Sequence, residues 1–471
     1  MPKNDYWKLS AFESAKLIRN GSISAEDLVS SCIERVNQTN KKINAIVDDL
    51  SEAALEKAYE SDKLSKKSEF KGPLHGVPIT VKENIDQKGY ATPNGLEALK
   101  DVIAPGNAPV VDNLEKDGAI IIGRTNTPEF SMRGTTDNII HGRTFNPWND
   151  WASPGGSSGG ASAAVMSGMG SLAHGNDIAG SLRIPSTATG ACTVKPGLGR
   201  VPAYNPSQTQ ERGLIAQLMS VQGVIAREIK DVRLGMQSLI NYDPRDPWMV
   251  EMPFESKATS SPIKIGYTKE TLGETLHPAV DKALENAIEA LKDAGYILEE
   301  IVLPEFQDAS DFSAKTLFGE LKVLHEKDYK ALGSENFNLV ADNYFEIISP
   351  FEGEDLLLGM AKRSYFFREW NLFFRKYPLV LTPFLLYPTY EWNRDTQGLE
   401  GTKEVLAGMF YAHTMNYLGI PAGVVSANYN DGLPIGVQII STRFREDIIL
   451  NACEEIEKRV GIMAEKLFER G

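Results

Sequence analysis

Two serines stand 24 residues apart in this chain, each set among glycines. Ser157 lies in Pro154-Gly155-Gly156-Ser157-Ser158-Gly159-Gly160, and Ser181 in Gly180-Ser181-Leu182-Arg183-Ile184-Pro185. Glycine lets backbone amides approach a substrate closely. A serine hydroxyl is a poor nucleophile at neutral pH and needs a base. Lys82, in Val77-Pro78-Ile79-Thr80-Val81-Lys82-Glu83-Asn84, is a candidate for that base. Lysine titrates near ~10.4 in water, so a lysine base working at pH 7 must have its ammonium disfavoured by roughly 4 kcal/mol. Desolvation at the end of a buried strand does this. These residue types support acyl transfer.

Other constellations fit less well. Gly156-Ser157-Ser158-Gly159-Gly160 matches the G-x-S-x-G elbow formally. That arrangement needs a late histidine, and His413 is the only one, in a stretch that reads as an ordinary helix. A phosphate-binding loop fails because no Gly-Lys-Ser/Thr follows the glycines. His75, His141, His277 and His325 are scattered, and no Cys/His cluster forms, so no metal is expected.

The elements that must hold these residues are partly visible. Residues 1–66 read as a helical cover, with Ser24 and Asp27 as an N-terminal cap. The charged stretch 66–73 reads as a loop, followed by a short buried strand over 77–81 that ends at Lys82. A helix around 109–117 leads to a strand over 119–123, which is the α/β pattern. Residues 161–169 suit a helix of small residues whose start lies beside Ser157. Val280, Leu284, Ala287, Ile288 and Leu291 form one apolar helical face closed by Gly295. Residues 379–383 and 435–440 read as buried strands. The run Tyr365-Phe366-Phe367-Trp370-Phe373-Phe374 has helical spacing and reads as core, with a substrate pocket as the other reading. No repeat or linker is evident. We expect one domain over 1–471: the helical cover 1–66, a core 72–245, a variable region 250–400 that shapes the substrate pocket, and a return to the core over 401–471.

Of the 471 residues, 42% are hydrophobic and 24% charged, as in soluble globular proteins. The formal net charge of -14 argues against nucleic acid or an anionic membrane as a partner. Cys32, Cys192 and Cys453 are few and far apart, which suits a reducing cytoplasm. The N-terminus lacks the apolar run of a signal peptide, and no stretch approaches the ~20 apolar residues of a membrane span.

The three motifs together resemble the amidase signature family. Its members carry Gly-Gly-Ser-Ser-Gly-Gly, then Gly-Ser-Ile-Arg-x-Pro at this serine spacing, and Val-Lys-Asp/Glu-Asn at the end of an early strand. Gly72-Pro73-Leu74-His75-Gly76-Val77-Pro78, Thr125-Asn126-Thr127-Pro128-Glu129-Phe130, Asn146-Pro147-Trp148, Lys195-Pro196 and Gly432-Leu433-Pro434-Ile435-Gly436-Val437-Gln438 extend the likeness over nearly the full length. The resemblance implies an α/β fold, a mixed central sheet with helices on both faces. It implies an amide hydrolase acting on a small carboxamide through a Ser-cisSer-Lys triad. Ser181 would be the nucleophile, Ser157 the proton bridge and Lys82 the base. Ile178, Ala179, Gly180 and Ser181 would form the oxyanion hole. Asp177 and Arg183 are expected to brace the nucleophile loop, and Ser158 to support it. The implied reaction needs no cofactor, and the implied assembly is a homodimer.

The chain departs from the family pattern in two places. It reads Gly175-Asn176-Asp177-Ile178-Ala179-Gly180-Ser181 where most members have Gly-Thr-Asp-Thr-Gly-Gly-Ser. Alanine at 179 is tolerable only if that backbone avoids positive φ. This wording is similar to that of amidases akin to 6-aminohexanoate cyclic dimer hydrolase. Thr189-Gly190-Ala191-Cys192 stands where many members have Phe-Cys-Gly. Two rival readings are the amidase component of a glutamine-dependent amidotransferase and a catalytically silent binding homologue.

Overall fold

A computed structural model of the chain describes residues 1–256 and 262–470. Positions 257–261 of the 250–400 region, and residue 471, lie outside the described residues. Among those described, eleven strands make one mixed sheet. They are β1 (Ile46–Asp49), β2 (Pro78–Lys82), β3 (Ile120–Thr125), β4 (Leu172–Asp177), β5 (Cys192–Lys195), β6 (Val221–Ala226), β7 (Lys264–Tyr267), β8 (Ile297–Glu300), β9 (Leu379–Pro383), β10 (Ala422–Asn430) and β11 (Leu433–Ile440). Their spatial order is β1-β3-β2-β4-β6-β5-β10-β11-β9-β7-β8. β2 runs parallel to both β3 and β4, so the ends of β2 and β4 that carry Lys82 and Asp177 point the same way. The middle of the sheet, from β4 through β6, β5, β10 and β11 to β9, is antiparallel. β9, β7 and β8 are parallel again.

Both faces of the sheet are covered, and the alternation along the strands records it. Leu379 and Leu381 of β9 join the cluster packed on Pro278–Asp293 and Glu446–Val460. Val380 joins the opposite cluster with Phe306–Leu332, Gly353–Phe374 and Phe410–Leu418. Covered on both faces, β2 and β3 are buried at every residue, with apolar starts and polar ends at Lys82, Arg124 and Thr125.

Most expected elements fall within a few residues of their places. The helices Pro109–Lys116, Gly159–Met166 and Pro278–Asp293 form, and Ser24 Oγ accepts the Asp27 amide at 3.0 Å. One region differs: residues 1–66 contain β1 as well as the helices Ala11–Arg19, Ala25–Ile43 and Ser51–Ser65. A four-residue edge strand ending in two aspartates has no periodicity to betray it, and its partner Gly123–Thr125 is far away in sequence. Phe366, Trp370 and Phe374 are buried in the core, with Tyr365, Phe367 and Phe373 packed against it, so the aromatic run is core rather than pocket.

Candidate active site

Lys82 is the last residue of β2, level with Thr125 of β3, and is fully buried. Its Nζ lies 2.7 Å from Ser157 Oγ, 3.2 Å from Ser158 Oγ and 2.9 Å from Asn176 Oδ1. Burial pulls its pKa from 10.5 to about 7, against the opposing pull of the Asp177 and Glu83 charges. No carboxylate is in ion-pair contact with it among the described residues. A lysine held this way is substantially neutral near pH 7 and can accept a proton.

Ser157 is 1% exposed and enters from the tight turn that starts the helix Gly159–Met166. The Gly156–Ser157 peptide bond is cis. The glycines here are required by close approach. A Cβ on Gly156 would sit 2.3 Å from the Arg133 carbonyl oxygen, and one on Gly160 would sit 2.6 Å from both N and O of Asn126. Thr127 Oγ1 donates to the Ser157 carbonyl at 3.0 Å, and Thr136 Oγ1 to that of Gly155 at 2.9 Å. The turn is thereby clamped on the loop that follows β3.

Ser181 lies in the turn between β4 and the helix Arg183–Thr189. Asp177 braces that turn: Oδ1 accepts the Gly180 amide at 2.7 Å and Oδ2 the Leu182 amide at 3.1 Å. Both its oxygens also accept from Arg183, from Nε and from one terminal nitrogen, each at 3.1 Å. Arg183 holds the Ala412 carbonyl and Gln438 as well, which ties the turn to the late part of the chain. Among the described residues, the amides of Ile178, Ala179 and Ser181 have no hydrogen-bond partner, and all three residues are half-exposed. Three of the four expected oxyanion donors are therefore free. The fourth, Gly180, is committed to Asp177. Ala179 is not among the residues with positive φ, so its methyl group carries no backbone cost.

Ser181 meets the lysine cluster through its backbone: Ser158 N–H donates to the Ser181 carbonyl at 3.3 Å. No hydrogen bond joins Ser181 Oγ to Ser157 Oγ; catalytic contacts are often long until substrate is bound. Two cavities converge on Ser181 and Ile178. One, about 390 Å³, has apolar walls that include Met132, Ile184, Leu317, Phe318, Ile348 and Met409. The other, about 320 Å³, is the more polar of the two, is reached by Ser157, and has Asn84, Asn94, Asn205, Gln208, Arg212 and Gln222 in its walls beside Phe130, Ile178 and Leu321.

The model of the family described as Amidase matches residues 27–450. The chain belongs to the amidase family. It is an amide hydrolase acting on carbon–nitrogen bonds other than peptide bonds. Indoleacetamide hydrolase of Bradyrhizobium diazoefficiens is 43% identical over 469 residues, covering 99% of this chain and 90% of that protein. Acylamidase of Rhodococcus erythropolis is 32% identical, covering 97% and 96%. The solved structure of 6-aminohexanoate cyclic dimer hydrolase with substrate superposes with a TM-score of 0.83 at 25% identity, over 97% of this chain and 98% of the other. A glutamyl-tRNA(Gln) amidotransferase component from Sulfurihydrogenibium sp. is 29% identical, covering 96% and 97%.

Within this amidase some participants escaped the sequence reading. Asn176 holds Lys82 and also donates to Asn84 Oδ1 at 2.8 Å. It sits one residue before Asp177 on a strand end that faces Lys82, and the parallel pairing of β2 with β4 was the missing signal. Asn416 donates to the Asp177 carbonyl at 3.1 Å, a contact spanning more than two hundred residues that no local pattern reveals. His413 touches neither serine of the cluster. Its Nδ1 lies 2.5 Å from Ser313 Oγ, and burial lowers its pKa to about 3, so it stays neutral.

Proposed function

We propose that this amidase hydrolyses small aryl-acetamides of the indoleacetamide type, with Lys82, Ser157 and Ser181 as the catalytic residues. The observation that carries the substrate assignment is the apolar cavity of about 390 Å³ that opens on Ser181. A flat aromatic acyl group suits walls of Leu317, Phe318, Ile348 and Met409, which offer it no hydrogen-bond partner. The name of the relative that is 43% identical supports the same class.

Neutral Lys82 takes the proton of Ser157, and Ser157 takes that of Ser181 as Ser181 Oγ attacks the amide carbon. The free amides of Ile178, Ala179 and Ser181 receive the oxyanion, which is where such donors matter most. Ser157 then gives its proton to the departing nitrogen and regains one from Lys82, and the C–N bond breaks, leaving Lys82 neutral again. Water attacks the acyl-Ser181 ester along the same proton path and releases the acid. Asp177 acts on this sequence by fixing the turn, not by touching substrate.

The amidotransferase reading has less support. The relatives of that name share less identity than the indoleacetamide hydrolase. The test is hydrolysis by the purified chain alone, followed as ammonia release. Turnover of indole-3-acetamide far above that of glutamine is expected. Glutamine as the sole substrate, or silence until a partner protein is added, would overturn the proposal. The buried, unpaired thiols of Cys32, Cys192 and Cys453 suit a cytoplasmic setting. No helix among the described residues is long and apolar enough to cross a membrane.

A further inference from the structure

The polar cavity is larger than departing ammonia requires, and its wall carries a cation that the hydrolysis of a primary amide does not use. Arg212 is half-buried, with one terminal nitrogen donating to Ser220 Oγ at 3.0 Å. That is its one side-chain hydrogen bond among the described residues, whereas a guanidinium has five N–H groups to give. Three carboxylates lie near it, Asp246, Glu211 and Glu320, and none is in contact with it. Glu320 accepts the amides of Ile215 and Ala216 at 2.8 Å each, and Asp246 those of Ala203 and Trp248 at 2.8 Å each. No carboxylate of the described residues forms an ion pair with Arg212.

The orientation of substrate across Ser181 follows from the two serines. Ser157, which hands the proton to the departing nitrogen, lines the polar cavity and not the apolar one. The acyl group therefore occupies the apolar side, and whatever the nitrogen carries occupies the side of Arg212. An unpaired guanidinium in a part-desolvated wall is suited to a planar carboxylate. Asn205, Gln208 and Gln222 offer further neutral donors beside it.

We propose that the polar cavity is an anion-binding leaving-group subsite, so that the enzyme also hydrolyses N-acyl amino acids, secondary amides whose amine carries a free carboxylate. This rests on the aryl-acetamide reading for the acyl side. The balance is that of simple hydrolysis. Ser181 Oγ bonds to the acyl carbon as the C–N bond breaks, and the nitrogen takes the proton relayed through Ser157 and leaves as the free amino acid. Water then splits the ester, gives the acid and restores the Ser181 hydroxyl. Nothing is oxidised or reduced.

The test compares N-(indole-3-acetyl)glycine with N-propyl-indole-3-acetamide, a neutral amide of similar size, on the purified full-length chain, with indole-3-acetamide alongside. Release of indole-3-acetate is measured. The wild type is expected to favour the glycine conjugate in kcat/KM by at least about tenfold, the scale of a charged hydrogen bond. Arg212→Gln is expected to bring that ratio close to one, and Arg212→Lys to leave it between the two. The lysine variant serves if the glutamine one does not fold. A wild-type ratio of one or below, with indole-3-acetamide still hydrolysed, overturns the subsite and leaves the aryl-acetamide reading standing. A preference that survives both substitutions removes Arg212 from it and overturns the proposal. Failure on all three compounds overturns the aryl-acetamide reading and the subsite with it.

Discussion

Methionine in place of Lys82 tests the neutral lysine through stability rather than turnover. Burial places the folded-state pKa of Lys82 at about 7, whereas in the unfolded chain a lysine titrates near ~10.4. The folded value is the lower one, so between these limits the unfolded chain binds one more proton than the folded chain. Stability from this group therefore rises with pH across that window, is lowest below about pH 7, and gains nothing further above about 10.4. At ~1.4 kcal/mol per pH unit the whole span is about 5 kcal/mol. Lys82→Met removes that burden and also removes the contacts to Ser157, Ser158 and Asn176, each worth about 1 kcal/mol net. At about pH 7 the desolvation cost exceeds the three hydrogen bonds, and the variant should be more stable by about 2 kcal/mol. At about pH 9.5 only about 1.4 kcal/mol of that cost is left, so the wild type should lead by about 2 kcal/mol. Urea unfolding of both proteins at the two pH values reads this reversal directly. A stability difference that stays constant between them would refute the reasoning, because it would mean that Lys82 keeps its ammonium in the fold.

The same titration sets activity: kcat/KM should fall on the acid side of about pH 7 as Lys82 takes up its proton, and a profile flat down to about pH 5 would contradict it. Ser181→Ala should abolish hydrolysis of every amide in a panel while leaving the melting temperature near that of the wild type; an active variant would remove Ser181 from the nucleophile role. Asp177→Asn leaves the buried Arg183 without its counter-charge and should cost about 3–5 kcal/mol, seen as a lowered thermal midpoint. Leu317→Phe narrows the apolar cavity and should reduce kcat/KM for indole-3-acetamide about tenfold or more relative to propionamide, whereas an unchanged ratio would place the acyl group elsewhere.

The parts of the site legible in the sequence are those in which one short segment does the whole job. Lys82 ends an apolar run that needs burial on both faces, and the turn around Ser157 is spelled by glycines that nothing larger can replace. Asp177 and Arg183 are close enough in sequence to be read as a pair, and they are one, at 3.1 Å. Asn176 and Asn416 were invisible as participants because their roles arise from strand pairing and from a helix returning late in the chain. β1 was missed for a similar reason, since its hydrogen bonds are supplied by β3. The oxyanion segment is proposed from residue types as a stretch, and which of its amides is spent on Asp177 is a matter of angles that residue types do not encode.

The helices Phe306–Leu332 and Glu335–Ile348, which carry Leu317, Phe318 and Ile348, contribute no group to the lysine–serine cluster. On the proposed assignment the bond-breaking residues share one stretch, and the acyl wall draws both on that stretch, through Met132 and Ile184, and on these later helices. Lys82, Ser157 and Ser181 fall within a hundred consecutive residues, and much of the acyl wall begins more than a hundred residues later. Drift in the later stretch can re-tailor what is accepted while the hydrolytic apparatus stays untouched. A graft of 306–348 from another amidase should accordingly carry its donor's acyl preference with it, and leave the pH dependence set by Lys82 where it was.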